Sequence, residues 1–269
     1  MMDFTRLDAV KRRRPLIHCV SNIVSAGDCA NVALAVGASP IMAQAPEEMA
    51  DITAASAATV LNTGTPETAK FEACRLCALA ARPLAQPVVL DPVGVGASPW
   101  RLRSIQALLD ACTPAILRVN LGEAQALLQL KSQEQGVDSP APAAAAQRLA
   151  AAAQLARSLG TTVLLSGPED VVTNGAQALR VSGGSDQMTR VTGTGCMLSV
   201  LCGVFAAVEP DALQAAALAA AFWKVCSQRA EQSAGGRGPG HFRMALMDAA
   251  GTLTAPELAR EAELAAMPL

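Results

Sequence analysis

Residues 191–196 read Val-Thr-Gly-Thr-Gly-Cys, and a twelve-residue apolar run, Met197 to Val208, follows directly. A glycine-rich turn that opens a helix leaves its first backbone N–H groups free and directed at whatever lies in front, which makes an anion site. Cys196, at the edge of that turn, sits in the same positive field, and its thiol responds to it. The competing reading is packing: Gly193 and Gly195 let a helix begin close to a sheet. The local stretch permits both.

A second set of residues stands where apolar runs end. Asn62, Asp91, Asn120 and Ser166 each close such a run, and a Gly, Pro or short turn follows each. In open parallel sheets ligands bind outside the carboxyl ends of the strands. Four polar ends in series, with the Gly-Thr-Gly-Cys turn, imply a shared ligand rim. In Asn120-Leu121-Gly122-Glu123 the Asn and Glu share one side of a new helical turn. A carboxylate there can hold Mg²⁺ through water; the same pair also fits a capping box. Asp91-Pro92-Val93-Gly94-Val95-Gly96 offers a second acidic group near a metal or phosphate, though its glycines also suit a simple helix cap. It is neither a P-loop nor a complete G-x-G-x-x-G fingerprint. Serine hydrolysis is poorly supplied: there are two histidines, His18 and His241, and no G-x-S-x-G elbow. His18, inside Pro-Leu-Ile-His-Cys-Val, reads as a satisfied core or rim residue.

The elements that must carry these residues are short apolar runs alternating with Ala-rich helical patterns. The runs are Ile41-Met42, Thr59–Asn62, Pro87–Asp91, Ala115–Asn120 and Thr161–Ser166. Nearly continuous apolar strands separated by helices specify a parallel sheet covered on both faces. Val171 to Gly184 reads as a small hairpin turning at Asn174-Gly175. Glu123–Lys131 and Pro142–Leu159 read as helices, the second capped by Gly160. The Gly-rich segment after Gly235 reads as a loop before a last helix near Met244. There is no internal repeat and no linker, so residues 1–269 are expected to form one domain.

The 269 residues carry a net charge of −2 and only 3% aromatic side chains, with no tyrosine. Neither a broad basic surface nor base-stacking platforms are available, which excludes nucleic acid as the expected partner. The basic run Lys11–Arg14 reads as a solvated helix end before Pro15. The longest apolar run is well short of the ~20 residues of a membrane span, and the first twenty residues lack a signal-peptide core. No membrane partner and a cytoplasmic location are therefore expected. Eight cysteines without a signal favour free thiols. Cys74 and Cys77 form a C-x-x-C inside a helical pattern, with no second pair to complete a zinc site.

Taken together, Pro-Leu-Ile-His-Cys-Val-Ser-Asn at 15–22, Gly-Ala-Ser-Pro-Ile-Met-Ala at 37–43, Asp-Pro-Val-Gly-Val-Gly-Ala at 91–97, Asn-Leu-Gly-Glu at 120–123, Gly-Thr-Gly-Cys at 193–196 and Gly-Pro-Gly-His-Phe at 238–242 are a specific combination. From about Pro15 to Asp248 the chain resembles the hydroxyethylthiazole kinase family, within the ribokinase-like superfamily. The resemblance implies a three-layer α/β/α sandwich with a mostly parallel central sheet. It implies ATP-dependent phosphorylation of the hydroxyl of 4-methyl-5-(2-hydroxyethyl)thiazole, in thiamin biosynthesis or salvage. Met42 would then contact the thiazole, Gly193 would line the same pocket, and Asn22 would help hold the ring. Arg118 and Ser166 would bind ATP, with the N–H groups of Thr194, Gly195 and Cys196 on the γ-phosphate. Asp91 and Glu123 would lie around Mg²⁺ and the phosphates, with Asn120 beside them. Cys196 occupies the position where many sugar kinases of the superfamily carry a catalytic aspartate. The resemblance also implies a homotrimer with its active sites at subunit interfaces.

The chain departs from the family pattern in two places. The usual Arg-Gly-Asn-Ala-Gly-Glu reads Arg118-Val119-Asn120-Leu121-Gly122-Glu123, which adds bulk to the turn. The usual Gly-Pro-Gly-Ser-Phe carries His241 in place of serine. The rival readings are a kinase of another small alcohol, a silent thiazole or nucleotide sensor, and a hydrolase using Cys196. ADP release with substrate present separates them.

Overall fold

The computed structural model describes residues 2–128 and 141–269. α1 (Arg6–Arg13) enters with its basic last turn and ends at Arg14, which adopts the left-handed conformation at φ 47°. The residue before a proline is pushed out of the helical region, so Pro15 ends the helix here. The basic run is thus a helix end, as the sequence reads. Arg12, Arg13 and Arg14 are exposed, and Lys11 Nζ donates to the Leu253 carbonyl at 2.9 Å.

Strands and helices then alternate: β1 (Leu16–Val20), α2 (Ala26–Val36), β2 (Ser39–Ile41), α3 (Met49–Ala55), β3 (Ala58–Asn62), α4 (Thr68–Ala81), β4 (Val88–Asp91), α5 (Pro99–Ala111), β5 (Ile116–Val119), α6 (Leu121–Leu127), α7 (Ala141–Leu159) and β6 (Thr162–Leu165). The hairpin β7 (Asp170–Thr173) and β8 (Ala178–Ser182) follows, then α8 (Thr194–Ala206), α9 (Ala212–Ala234), α10 (Pro239–Thr252), α11 (Ala255–Glu261) and β9 (Glu263–Met267). The described strands form one sheet in the order β2-β1-β3-β4-β5-β6-β7-β8-β9. Every pair from β2 to β6 is parallel. The pairs β6–β7, β7–β8 and β8–β9 are antiparallel.

Alternation along the strands divides the core between two faces. Val60, Val89, Ile116 and Leu164 point into one core with α2, α8, α9 and α10. Leu61, Leu90, Leu117 and Leu165 point into the other with α4, α5 and α7. This is the expected α/β/α sandwich with a mostly parallel sheet. Cys74 and Cys77 are buried on α4, and all eight cysteines are free. Among the described residues no helix is long and apolar enough to cross a membrane.

Four of the strand runs and the 171–184 hairpin stand where the sequence places them, with Gly175 at φ 86° in the turn; the Ile41-Met42 run is strand only at Ile41, because β2 covers Ser39–Ile41. The helix read at Glu123–Lys131 begins at Leu121, and its residues 129–131 lie outside the described residues. The helix read at Pro142–Leu159 spans Ala141–Leu159, and Gly160 follows at φ 63°. Three further features differ from expectation. The Leu-Ile-His-Cys-Val stretch, absent from the strand runs read in the sequence, is a strand, β1; His18 on it is the satisfied core residue the sequence reads, fully buried between Thr53 Oγ1 and the Ala43 carbonyl. The helix near Met244 begins at Pro239, inside the Gly-rich segment, because proline is preorganised for the first helical position. It is also not the last element. Glu263–Met267 (Glu-Leu-Ala-Ala-Met) is made of helix formers, yet it pairs antiparallel with β8, so sheet extension overrides local propensity.

Candidate active site

Three of the four polar strand ends, Asn62, Asp91 and Ser166, join through Arg118 as a hydrogen-bonded set, while Asn120 turns to Glu123 instead. Asn62 and Asp91 are direct partners in the β3–β4 register, and Asn62 Nδ2 donates to Asp91 Oδ2 at 2.8 Å. Ser199, on the second turn of α8, donates to the same oxygen at 2.7 Å. Arg118 on β5 lies 3.5 Å from Asp91 Oδ1 and donates to Ser166 Oγ at 2.7 Å. Asp91 is 0% exposed. Its burial pushes the carboxyl up to about 6, against the opposing charge of Arg118; Glu123 pushes it up further, and hydrogen bonds from Ser199 and Arg118 pull it down. The buried Nε of Arg118 has no hydrogen-bond partner among the described residues.

α8 opens directly above this set. Its N-cap is Gly193 at φ 82°, and no side chain caps the first turn. The leading N–H groups are therefore free of side-chain acceptors, as an anion turn requires. A Cβ on Gly193 would stand 2.7 Å from Ser25 Cβ, and one on Gly195 would stand 2.6 Å from the Arg118 guanidinium. The glycines thus answer both readings of the turn, since close packing is what brings Arg118 against the helix start. Trp223 Nε1 donates to the Thr194 carbonyl at 3.0 Å and fixes the turn from α9. Cys196, half-buried, has the Ser25 and Asn62 side chains beside it. Burial first, and then the Asp91 charge, raise its pKa; Ser25, Asn62 and Arg118 only partly offset them. Cys196 is a thiol at neutral pH, not a thiolate.

Beside the turn lies a cavity of about 320 Å³, lined by Arg118, Ser166, Thr194 and Gly195 together with Met188, Trp223 and Lys224. A larger hollow of about 680 Å³ lies at the opposite, amino-terminal rim, among Pro87, Val88 and Ala115, away from all of the residues described here.

A family model described as the hydroxyethylthiazole kinase family matches residues 7–256. The chain is 42% identical over 258 residues to hydroxyethylthiazole kinase of Methanoculleus marisnigri, covering 96% of this chain and 91% of that protein. The chain belongs to the hydroxyethylthiazole kinase family. A solved structure of a hydroxyethylthiazole kinase protein from Pyrococcus horikoshii superposes with a TM-score of 0.90 at 31% identity, over 98% of each chain. A ribokinase-like superfamily protein from Enterococcus faecalis superposes with a TM-score of 0.62 at 13% identity, over 93% of this chain and 94% of that one. The sandwich is thus the ribokinase-like fold.

Within this member of the hydroxyethylthiazole kinase family, the residues singled out in the sequence are spread over several parts of the site. Arg118, Ser166, Thr194 and Gly195 line one cavity. Asn22, Gly193 and Cys196 gather around Ser25: Gly193 packs on it, Cys196 lies beside it, and Asn22 is on the same loop. Met42 follows β2, half-buried against the α2–α8 core, outside the cavity lining and on the other flank of the site. Asn120 and Glu123 form a complete capping box on α6, with both N–H···O bonds at 2.9 Å. Glu123 Oε1 also accepts from the Gly94 N–H at 2.9 Å, which ties α6 to the Pro-Val-Gly-Val-Gly turn. His241 is exposed on the first turn of α10.

Magnesium is implied by the family's use of ATP, and the candidates to face it here are carboxylates. Among the described residues no cluster of three or more metal-ligating side chains exists, so there is no protein cage. Each Glu123 oxygen spends one acceptor site on a backbone N–H and keeps another. That donor set fits an ion which keeps its waters and takes most of its remaining ligands from phosphates.

Sequence reasoning did not single out Ser199, Trp223, Lys224 or Lys70. Trp223 and Lys224 sit in the middle of α9, where neither glycine nor a strand end marks them. Lys224 Nζ donates to the Gly167 and Pro168 carbonyls at 2.9 and 2.7 Å and lies 3.6 Å from Asp170. The one available signal was Asp170, a charged residue opening a buried strand.

Proposed function

We propose that this chain, acting as a single catalytic domain, transfers the γ-phosphoryl group of ATP to the hydroxyl of 4-methyl-5-(2-hydroxyethyl)thiazole. The observation that carries the proposal is the α8 start: an anion turn free of side-chain caps, with Arg118 against Gly195 and Cys196 at its edge, beside a cavity of about 320 Å³.

Phosphoryl transfer asks the protein for positioning and charge stabilisation more than for covalent chemistry. The N–H groups of Thr194, Gly195 and Cys196 hold the charge that spreads over the transferring group, and one such donor is worth ~3 kcal/mol. Arg118, anchored by Asp91 and Ser166, adds a fixed positive charge on the same side. The substrate hydroxyl bonds to phosphorus as the bond to the β-phosphate oxygen breaks. Cys196, protonated at neutral pH, orients the hydroxyl; the alcohol proton leaves late, to a phosphate oxygen or to water. Asn22, Gly193 and Met42 line the thiazole side. Glu123, through water, and Asp91, from behind, would hold Mg²⁺, which neutralises phosphate charge when bound.

Two further parts of the reading concern assembly and location. Ile23 and Val24, next to Asn22, are 77% and 60% exposed. Large apolar side chains left open at the rim of a site fit burial by a second copy, and this supports the homotrimer with interface sites. The cytoplasm, where ATP is made available, is the proposed location, with no nucleic acid or membrane partner.

The test is ADP production from Mg-ATP with the thiazole alcohol, hydroxymethylpyrimidine, pyridoxal and ribose, with sedimentation of the same protein. Turnover with the thiazole alone, by a trimer, is the expected result. Turnover with another alcohol only would overturn the Met42 pocket, and none at all would leave a binding protein.

A further inference from the structure

Lys70 is a buried cation that the reading above does not use. It sits in the first turn of α4, at the positive end of the helix dipole, where a cation is disfavoured. It is 8% exposed. Its Nζ donates to the Ser21 carbonyl at 2.8 Å, the Gly64 carbonyl at 2.7 Å and Thr65 Oγ1 at 3.3 Å. All three acceptors are uncharged, and burial depresses the ammonium pKa, against weaker support from the Cys74, Glu67 and Cys196 side chains.

The acceptors belong to two loops that meet at the acceptor side of the site. Ser21 precedes Asn22 on the β1–α2 loop; Gly64 and Thr65 follow Asn62 on the β3–α4 loop. Thr65 holds φ 46°, a region that a β-branched residue rarely adopts. Its hydroxyl accepts from the Ile23 N–H at 3.2 Å and lies 3.3 Å from Asn22 Oδ1. Asn22 Oδ1 also accepts from the Val24 N–H at 3.0 Å, and Asn62 Oδ1 accepts from the Gly64 N–H at 2.9 Å. The ammonium therefore ties the segment carrying Asn22 and Ser25 to the turn carrying Asn62. Ser25 and Asn62 are the two polar side chains beside the Cys196 thiol that hold its pKa down against burial. A compact three-donor group is the side-chain chemistry that satisfies three converging oxygens.

We propose that Lys70 is a positioning residue for the acceptor alcohol: it locks the Ser21–Ser25 and Asn62–Thr65 segments together so that Asn22 and Cys196 face the substrate in one fixed arrangement. The inference rests on the phosphotransfer reading for its kinetic consequence, and on geometry alone for the lock itself.

The experiment compares the full-length protein with Lys70→Met, which keeps the aliphatic stem and removes the donors. Hydrogen exchange is expected to quicken about tenfold in peptides covering 21–25 and 62–65, the scale of losing a charge-assisted hydrogen bond, with the β4–β6 peptides unchanged. The KM for the thiazole alcohol is expected to rise by about the same factor while the KM for ATP stays put. Lys70→Gln serves if the methionine variant does not fold, with the same split expected. Unchanged exchange in both loops, faster exchange throughout the sheet, or equal rises in both KM values would overturn the proposal. Wild-type protein that does not phosphorylate the thiazole would overturn the functional reading instead, and the exchange comparison would still decide the lock.

Discussion

The Ser199 hydroxyl donates to Asp91 Oδ2 at 2.7 Å and also reaches the Gly195 carbonyl at 3.2 Å. The helix that begins at the anion turn is thereby fastened to the carboxylate at the end of β4. Asn62 shares that oxygen and Arg118 faces the other, so Asp91 sets the height at which the guanidinium meets Gly195.

This arrangement has a pH consequence. Burial raises Asp91 to about 6, and its ionised form is the one that holds Arg118. Turnover is expected to fall as pH drops through about 6. The contribution of Asp91 to stability runs the other way: with a folded pKa above the unfolded one, it is fully present below the unfolded pKa and lost as pH rises through about 6. Ser199→Ala removes a donor that favours the carboxylate, so the acid limb of kcat/KM should move to higher pH. A pH–rate profile of both proteins checks this; a limb that stays in place assigns it to another group.

Gly195→Ala drives a methyl into the Arg118 guanidinium. The arginine must leave Ser166 or Asp91, and kcat is expected to drop by ~100-fold, the scale of one lost anion-hole donor, with the KM for the alcohol little changed. Gly193→Val meets Ser25 at a backbone angle that disfavours any side chain. It should raise the KM for the alcohol instead and lower stability by ~1–3 kcal/mol. Steady-state kinetics with each substrate varied, and thermal unfolding, distinguish the two glycines. An unchanged KM for the alcohol in Gly193→Val would remove Gly193 from the pocket.

Cys196 is held as a thiol by burial and by Asp91. Alkylation of Cys196 by iodoacetamide, followed by peptide mass spectrometry, is expected to be slow at pH 7 and to accelerate only as pH passes the ordinary thiol range. Cys196→Asp should keep or raise turnover, since an aspartate accepts the hydroxyl proton better. Complete loss of turnover would count against a proton-accepting role at this position.

Glu123 holds the Asn120 and Gly94 N–H groups with its two oxygens. Glu123→Ala leaves both unpaired and should cost about 0.5–2 kcal/mol, the range for a lost helix cap. Glu123→Gln retains an acceptor and should cost less. Both variants are expected to need more Mg²⁺ for half-maximal rate. If glutamine leaves the Mg²⁺ titration unaltered, Glu123 serves only as a cap.

Much of this protein is determined by the sequence alone. The parallel half of the sheet is legible because buried strands read as short apolar runs, and Asn62, Asp91, Asn120 and Ser166 are legible because polar residues end those runs. The Gly-Thr-Gly-Cys turn is legible because only glycine permits its backbone and its close approaches. The tertiary structure decided what local pattern does not encode. Glu263–Met267 becomes a strand because β8 offers an unpaired edge, against the propensity of its own residues. Ser199, Trp223 and Lys70 lie inside helical stretches, and their partners Asp91, Thr194 and Ser21 lie 108, 29 and 49 residues away in the chain. Such pairings depend on the position and direction of side chains brought together by sheet order and helix packing. A hydrogen bond has no sequence period, so these residues carry no mark of their role until the fold sets them beside the groups they hold.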